Sequence, residues 1–109
     1  MLDTFPYPGG TTTCEALWMG VPTLTLSGKT LLERQGHTIM CNAGLDDWVC
    51  FSENEYINKA IAFSENLAKL SSIRSHLRSA LLETPIMNAK KFANEFEQTL
   101  VNIWQNHKK

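Results

Sequence analysis

With 109 residues, 43% of them hydrophobic, the chain has the material for one modest core and not for a second full domain. Ten Lys and Arg against eleven Asp and Glu give a formal net charge of −1, so composition supplies no general attraction to nucleic acid or to an anionic membrane. Cys14, Cys41 and Cys50 stand at unrelated spacings, no apolar signal segment precedes Asp3, and no apolar run approaches the roughly 20 residues that span a bilayer; a reducing, cytoplasmic setting is expected.

Met1-Leu2-Asp3-Thr4-Phe5 reads as the tail of a strand with nothing ahead of it, so the chain is expected to be a fragment. Pro6 and Pro8 then fix φ, while Gly9 and Gly10 permit backbone shapes closed to other residues, which predicts a shaped turn ahead of Thr11. A helix follows, with Thr12-Thr13-Cys14-Glu15 matching a capping box, and Gly20 and Pro22 end it. Residues 21–26 are rich in β-formers and predict a buried strand closed by Ser27-Gly28. Strand tail, loop, helix and strand in this order make a βαβ unit of a parallel sheet, whose ligands bind beyond the carboxyl ends of the strands.

Thr30-Leu31-Leu32-Glu33 is a second capping box, opening a helix to about Cys41 with Leu31, Leu32, Ile39 and Met40 inward. Asn42-Ala43-Gly44 stops that helix, and Trp48-Val49-Cys50-Phe51 predicts a short final strand. From a third capping box, Ser52 to Glu55, the period becomes helical: one helix over 53–70 and a shorter one carrying Ile73, Leu77, Ala80 and Leu81 up to Thr84-Pro85. The last begins near Asn88 and lines Ala89, Phe92, Ala93, Phe96, Leu100, Ile103 and Trp104 on one face, read as core. The chain divides into a βαβ-type half, 1–51, and C-terminal helices, 52–109, within a single domain.

Thr11, Thr12 and Glu15 admit two readings from spacing alone. In one, Thr12 and Glu15 cap the helix and nothing more. In the other, the free N–H groups and hydroxyls of Thr11 and Thr12 hold a diphosphate at the positive end of the helix, and Glu15 accepts from sugar hydroxyls. Both compete for one carboxylate. Other patterns are weaker. Ser27-Gly28-Lys29-Thr30 imitates the end of a P-loop, but position 23 is Thr where the motif has its first glycine, and Lys29 reads as a solvated cation. His37, Cys41 and Cys50 lack a fourth ligand for zinc. Arg34 reads either as facing an anion in the crevice or as a surface ion-pair partner, the second being favoured; Cys14 has no evident imidazole, and no strained strand-to-helix serine marks a Ser-His-Asp triad.

Residues 2–7 and the run Gly9-Gly10-Thr11-Thr12-Thr13-Cys14-Glu15-Ala16-Leu17-Trp18-Met19-Gly20-Val21-Pro22 resemble the C-terminal catalytic lobe of O-linked N-acetylglucosamine transferases, including SPINDLY-like and bacterial tetratricopeptide-linked members. The similarity extends through Leu26-Ser27-Gly28, Arg34, Gly44-Leu45 and the C-terminal helices. It implies an α/β fold, part of one Rossmann-like lobe of a GT-B glycosyltransferase, with sugar transferred from UDP-GlcNAc to Ser or Thr with inversion and without an obligatory metal. It further implies that Gly9, Gly10, Thr11 and Thr12 cradle the diphosphate and that Glu15 binds the ribose. The family often has His where this chain has Gly10, and both Asp and Glu at position 15.

The resemblance assigns no catalytic residue here and places the acceptor groove and base in regions outside the chain, so turnover by this polypeptide alone is not expected. The competing reading, from a different class, is a noncatalytic helical protein-interaction domain. An unfinished sheet also leaves a strand edge open. Self-association is expected on that ground, and light scattering that finds a strict monomer at high concentration contradicts it.

Overall fold

The computed structural model describes residues 1–108 and shows an α/β arrangement in which a small parallel sheet is packed by helices. Strand β1 (Thr25–Leu26) runs parallel to β2 (Val49–Cys50), in register Thr25 with Val49 and Leu26 with Cys50. The N-terminal segment lies on the other side of β1. Leu2 bridges Leu24 in parallel, with Asp3 N–H donating to Leu24 O and Leu24 N–H to Met1 O, both at 2.9 Å. The strand tail expected at the N-terminus is therefore in place, and exposed Leu2 belongs to the outermost pairing described.

Helix α1 (Thr11–Trp18) connects these layers and α2 (Gln35–Asn42) returns the chain to β2, as the βαβ order requires. Buried Leu17 of α1, Leu24, Met40 of α2, Trp48, Val49 and Cys50, and Leu77 and Leu81 of α4 (Leu67–Leu81) form one core. Removing a side chain such as Leu17, 1% exposed, would cost about 2–5 kcal/mol. Gly20 ends α1 with φ +81°, and a Cβ there would stand 2.6 Å from the Arg74 carbonyl oxygen, so both conformation and space require glycine. Arg78 of α4 closes the same helix end: its Nε donates to Trp18 O at 2.6 Å while its guanidinium lies over the Trp18 ring.

Two of the three capping boxes form. Thr30 Oγ1 accepts from Glu33 N–H at 3.2 Å, and Glu33 Oε2 accepts from the N–H groups of Lys29 and Thr30 at 2.8 and 3.0 Å. Ser52 Oγ accepts from Glu55 N–H at 3.1 Å, and Glu55 Oε2 accepts from Phe51 N–H at 2.8 Å. The Thr12 box does not form. Helix α1 starts two residues too early for it, with Gly10 as N-cap and no side-chain cap, so Thr12 lies inside the first turn.

Three other expectations are corrected. Leu31 and Leu32 point outward, 90% and 48% exposed, because the chain enters α2 through a tight 3₁₀ turn, Leu32–Arg34, that does not share its face. The helix expected over 53–70 breaks at Asn66, giving α3 (Glu53–Glu65) and α4 (Leu67–Leu81). Asn66 Oδ1 accepts from Lys69 N–H at 3.1 Å, and this local cap outweighs the apolar period that runs on through it. Helix α5 (Ala89–His107) begins at the Asn88 cap as expected, but Phe92, Phe96, Leu100, Ile103 and Trp104 are all exposed rather than core. The helix leans chiefly on the 3₁₀ turn Pro85–Met87.

Backbone N–H donors hold the Glu33 and Glu55 carboxyls below the usual 4.5, with Thr30 and Lys29 the leading causes for Glu33 and Phe51, then Lys59, for Glu55. A depressed folded value means each cap acts fully above pH 4.5 and is lost as pH falls through that lower value. In an acid titration followed by NMR, the Lys29, Thr30 and Phe51 amides should report midpoints below 4.5. Midpoints at or above it would show that the two boxes are open.

Candidate functional site

The Pro-Gly loop is built around Asp3. This carboxylate is buried, 7% exposed, and its Oδ1 accepts from the N–H groups of Thr4 and Gly9 at 3.0 and 2.9 Å. Its Oδ2 accepts from Thr25 Oγ1 at 2.8 Å, and its backbone carbonyl accepts from Tyr56 Oη at 2.9 Å. Burial is the leading reason that the Tyr56 phenol is shifted upward, followed by the Asp3 charge. Gly36 completes the arrangement, since a Cβ there would run into Thr25 Oγ1 and stand 2.6 Å from Asp3 Oδ2. The loop thus hangs from the N-terminal segment that bridges Leu24 and is braced by β1, α2 and α3.

The Asp3 bridge sets which groups at the loop remain available. Gly9 N–H is taken by Asp3, so Gly9 contributes shape. Thr11, Thr12 and Glu15 are exposed, and no side chain caps the first turn of α1. Glu15 does not reach back to Thr12, which removes the competition for its carboxylate. Thr13 faces inward, fully buried, and its Oγ1 has no partner among the described residues; it lies 2.9 Å from where a Cβ on Gly9 would stand. The site residues read from the sequence, Gly9, Gly10, Thr11, Thr12 and Glu15, are therefore contiguous around one uncapped helix N-terminus with hydroxyls and a carboxylate in solvent. Such an end offers N–H donors and partial positive charge to an anion.

Beside it, a cavity of about 260 Å³ opens beyond β1 between Phe5, Pro6, Leu26, Ser27, Gly28, Lys29 and Glu33. Ser27 Oγ lies 2.8 Å from His37 Nδ1, a pairing that no motif announced. Arg34 Nη2 is 3.5 Å from the same nitrogen and pairs with no carboxylate among the described residues, contrary to the surface ion pair expected of it. Ser27 and Arg34 thus converge on one ring nitrogen, whereas a Ser-His-Asp triad sets its serine and its carboxylate on opposite nitrogens, so these residues do not form one. The Lys29 backbone serves the Glu33 cap. No group of three or more His, Cys, Asp or Glu side chains among the described residues could hold a metal ion. The Cys50 thiol is pushed up by burial, and Cys41 by burial and then Asp46, which keeps both protonated. Cys14 lies in an apolar groove with Leu17, Trp18, Leu81, Ile86 and Met87.

The family model described as Glycosyl transferase family 41 matches residues 1–96. The chain belongs to glycosyl transferase family 41. A relative from Solanum lycopersicum, named a probable UDP-N-acetylglucosamine–peptide N-acetylglucosaminyltransferase SPINDLY, is 36% identical over 106 residues, 97% of this chain and 11% of that protein. The SEC protein of Arabidopsis thaliana, with the same enzyme name, is 29% identical over 108 residues, 98% of this chain and 11% of its own length. A solved structure of a Thermobaculum terrenum O-GlcNAc transferase mutant superposes with a TM-score of 0.85 at 37% identity, covering 96% of this chain and 20% of that one. The fold is thereby that of part of a GT-B lobe in this family, and the chain spans about a tenth of the length of its curated relatives. No helix among the described residues is long and apolar enough to cross a membrane.

The sequence pointed to the loop but not to the bridging role of Asp3 or to the Ser27–His37 pair. The Asp3 contact with Thr25 joins residues 22 apart, and Ser27 and His37 are 10 apart, separations that no periodicity marks. Replacing Thr25 with Val removes a buried hydrogen bond to a carboxylate and should lower the free energy of unfolding by about 1.5–3 kcal/mol. Replacing Thr23 with Val, whose Oγ1 is buried without a partner, should be neutral or stabilising in the same urea titrations. Equal losses for both would contradict the bridging role of Asp3.

Proposed function

We propose that the chain is the donor-nucleotide-binding part of a UDP-GlcNAc-dependent protein O-glycosyltransferase. In this reading Gly9 and Gly10 shape the cradle, Thr11 and Thr12 bind the diphosphate, and Glu15 binds the ribose. The observation that carries it is the uncapped N-terminus of α1, at which Thr12 and Glu15 stay exposed instead of capping one another. Capping residues in that position would be a structural fixture; exposed ones are available to a ligand. The names of the SPINDLY and SEC relatives support a UDP-sugar donor and a peptide acceptor.

The chemistry follows from the leaving group. As the sugar is transferred, negative charge grows on the diphosphate, and fixed N–H donors at a helix end stabilise it without requiring a metal ion. Inverting transfer to a Ser or Thr hydroxyl also needs a base and an acceptor groove, which this reading assigns to the remainder of a full-length enzyme. The isolated chain then binds donor without turnover, in a cytoplasmic setting consistent with its free cysteines.

Titrating the chain with UDP should shift the amide signals of residues 11–15. Because Glu15 caps nothing, Glu15→Ala should leave unfolding within about 0.5 kcal/mol of the parent while weakening UDP about tenfold. Loss of stability with unchanged UDP response would instead favour the noncatalytic interaction domain.

A further inference from the structure

We infer that Gln35 is a further donor-binding residue of this cradle, its carboxamide contacting the diphosphate from the side opposite the Thr11 and Thr12 hydroxyls. The inference rests on the UDP-sugar reading above and extends it to a residue that neither the motif nor its spacing marks. Gly10 is the N-cap of α1, and a Cβ on it would stand 2.6 Å from Gln35 Nε2, 3.2 Å from Cδ and 3.5 Å from Oε1. The carboxamide head of Gln35 therefore occupies the space that a side chain at position 10 would fill. Gln35 is exposed, and its head makes no hydrogen bond among the described residues, so its two N–H donors and one acceptor are unassigned at the mouth of the cradle.

The backbone carrying Gln35 is held in place. Gln35 is the first residue of α2, and the next residue, Gly36, presses without a Cβ against Asp3 and Thr25. Asp3 in turn holds Gly9 N–H. An unbroken set of contacts thus fixes the start of α2 against the loop that precedes α1, and the Gln35 head spans the gap between the two helix N-termini. Below the loop, the buried and unpartnered Thr13 Oγ1 is a second polar group of the first turn without an internal partner. Diphosphate oxygens are strong acceptors with more lone pairs than Thr11 and Thr12 can meet. A neutral amide opposite them adds a donor while leaving the charge of the site unchanged.

The test uses the 109-residue chain with three probes: UDP, inorganic pyrophosphate and uridine. UDP and pyrophosphate should shift the Gln35 side-chain NH₂ signals, and uridine should not. Gln35→Ala should weaken UDP and pyrophosphate about five- to tenfold with no change for uridine. Gly10→Ala should do the same, because its new methyl group displaces the carboxamide. Unchanged amide signals for Leu17 and Met40 would verify that both variants fold. If Gln35→Ala binds UDP like the parent while residues 11–15 still respond, the role of Gln35 is overturned and the donor-binding reading stands. If uridine binding falls equally, Gln35 does not contact the diphosphate, and the inference is overturned. If residues 11–15 of the parent chain stay silent with UDP, the donor-binding reading falls and this inference falls with it.

Discussion

A buried carboxylate has to be surrounded by donors, and meeting that requirement at Asp3 organises the N-terminal half of the molecule. Its donors come from its own loop (Thr4 and Gly9) and from β1 (Thr25), while the Asp3 carbonyl is held by Tyr56 of α3. Gly36 lets α2 approach closely enough to seal the group from solvent. Each partner is far from Asp3 in sequence except those in the loop, so the side chain joins segments that backbone pairing alone would leave loosely associated. The two-residue strands are too short to fix the loop on their own.

The consequence for the site is that stability and availability are separated. The donors that hold the loop, above all Gly9 N–H, face inward to Asp3, whereas the groups suited to a ligand face outward from the first turn of α1. Had Thr12 and Glu15 formed the capping box that their spacing suggests, the same atoms would serve both purposes. Starting the helix at Gly10 avoids this, because a glycine N-cap brings no side chain to occupy the free N–H groups. The Asp3 carboxylate balances the loop from beneath and the helix end presents the opposite polarity above.

Local features were legible from the sequence, and those that depend on tertiary contact were not. Thr30 with Glu33 and Ser52 with Glu55 act within four residues, and both boxes form as their pattern predicts. The same pattern at Thr12 failed because it is silent about where the preceding Pro-Gly loop delivers the chain. Asn66 fits the apolar rhythm on either side of it, so only its side-chain bond to Lys69 N–H reveals the break. The strands were recognised by composition, but their length is decided by partners: β1 pairs only where β2 reaches it. Gln35 over Gly10 was invisible for a related reason, since what matters is a missing atom at one position and a side-chain end from another helix.

Helix α5 bears on how the molecule breathes. An isolated helix of 19 residues draws little stability from its backbone alone, and this one keeps its apolar stripe in solvent. Its opening free energy must then lie near the bottom of the range within the molecule, far below that of the elements gathered around Asp3. The two ends of the chain are therefore expected to exchange amide hydrogens on separate clocks, the C-terminal helix rapidly by local fraying and the N-terminal segment and loop only through cooperative unfolding. Whatever surface came to shield the stripe would slow the first clock without touching the second.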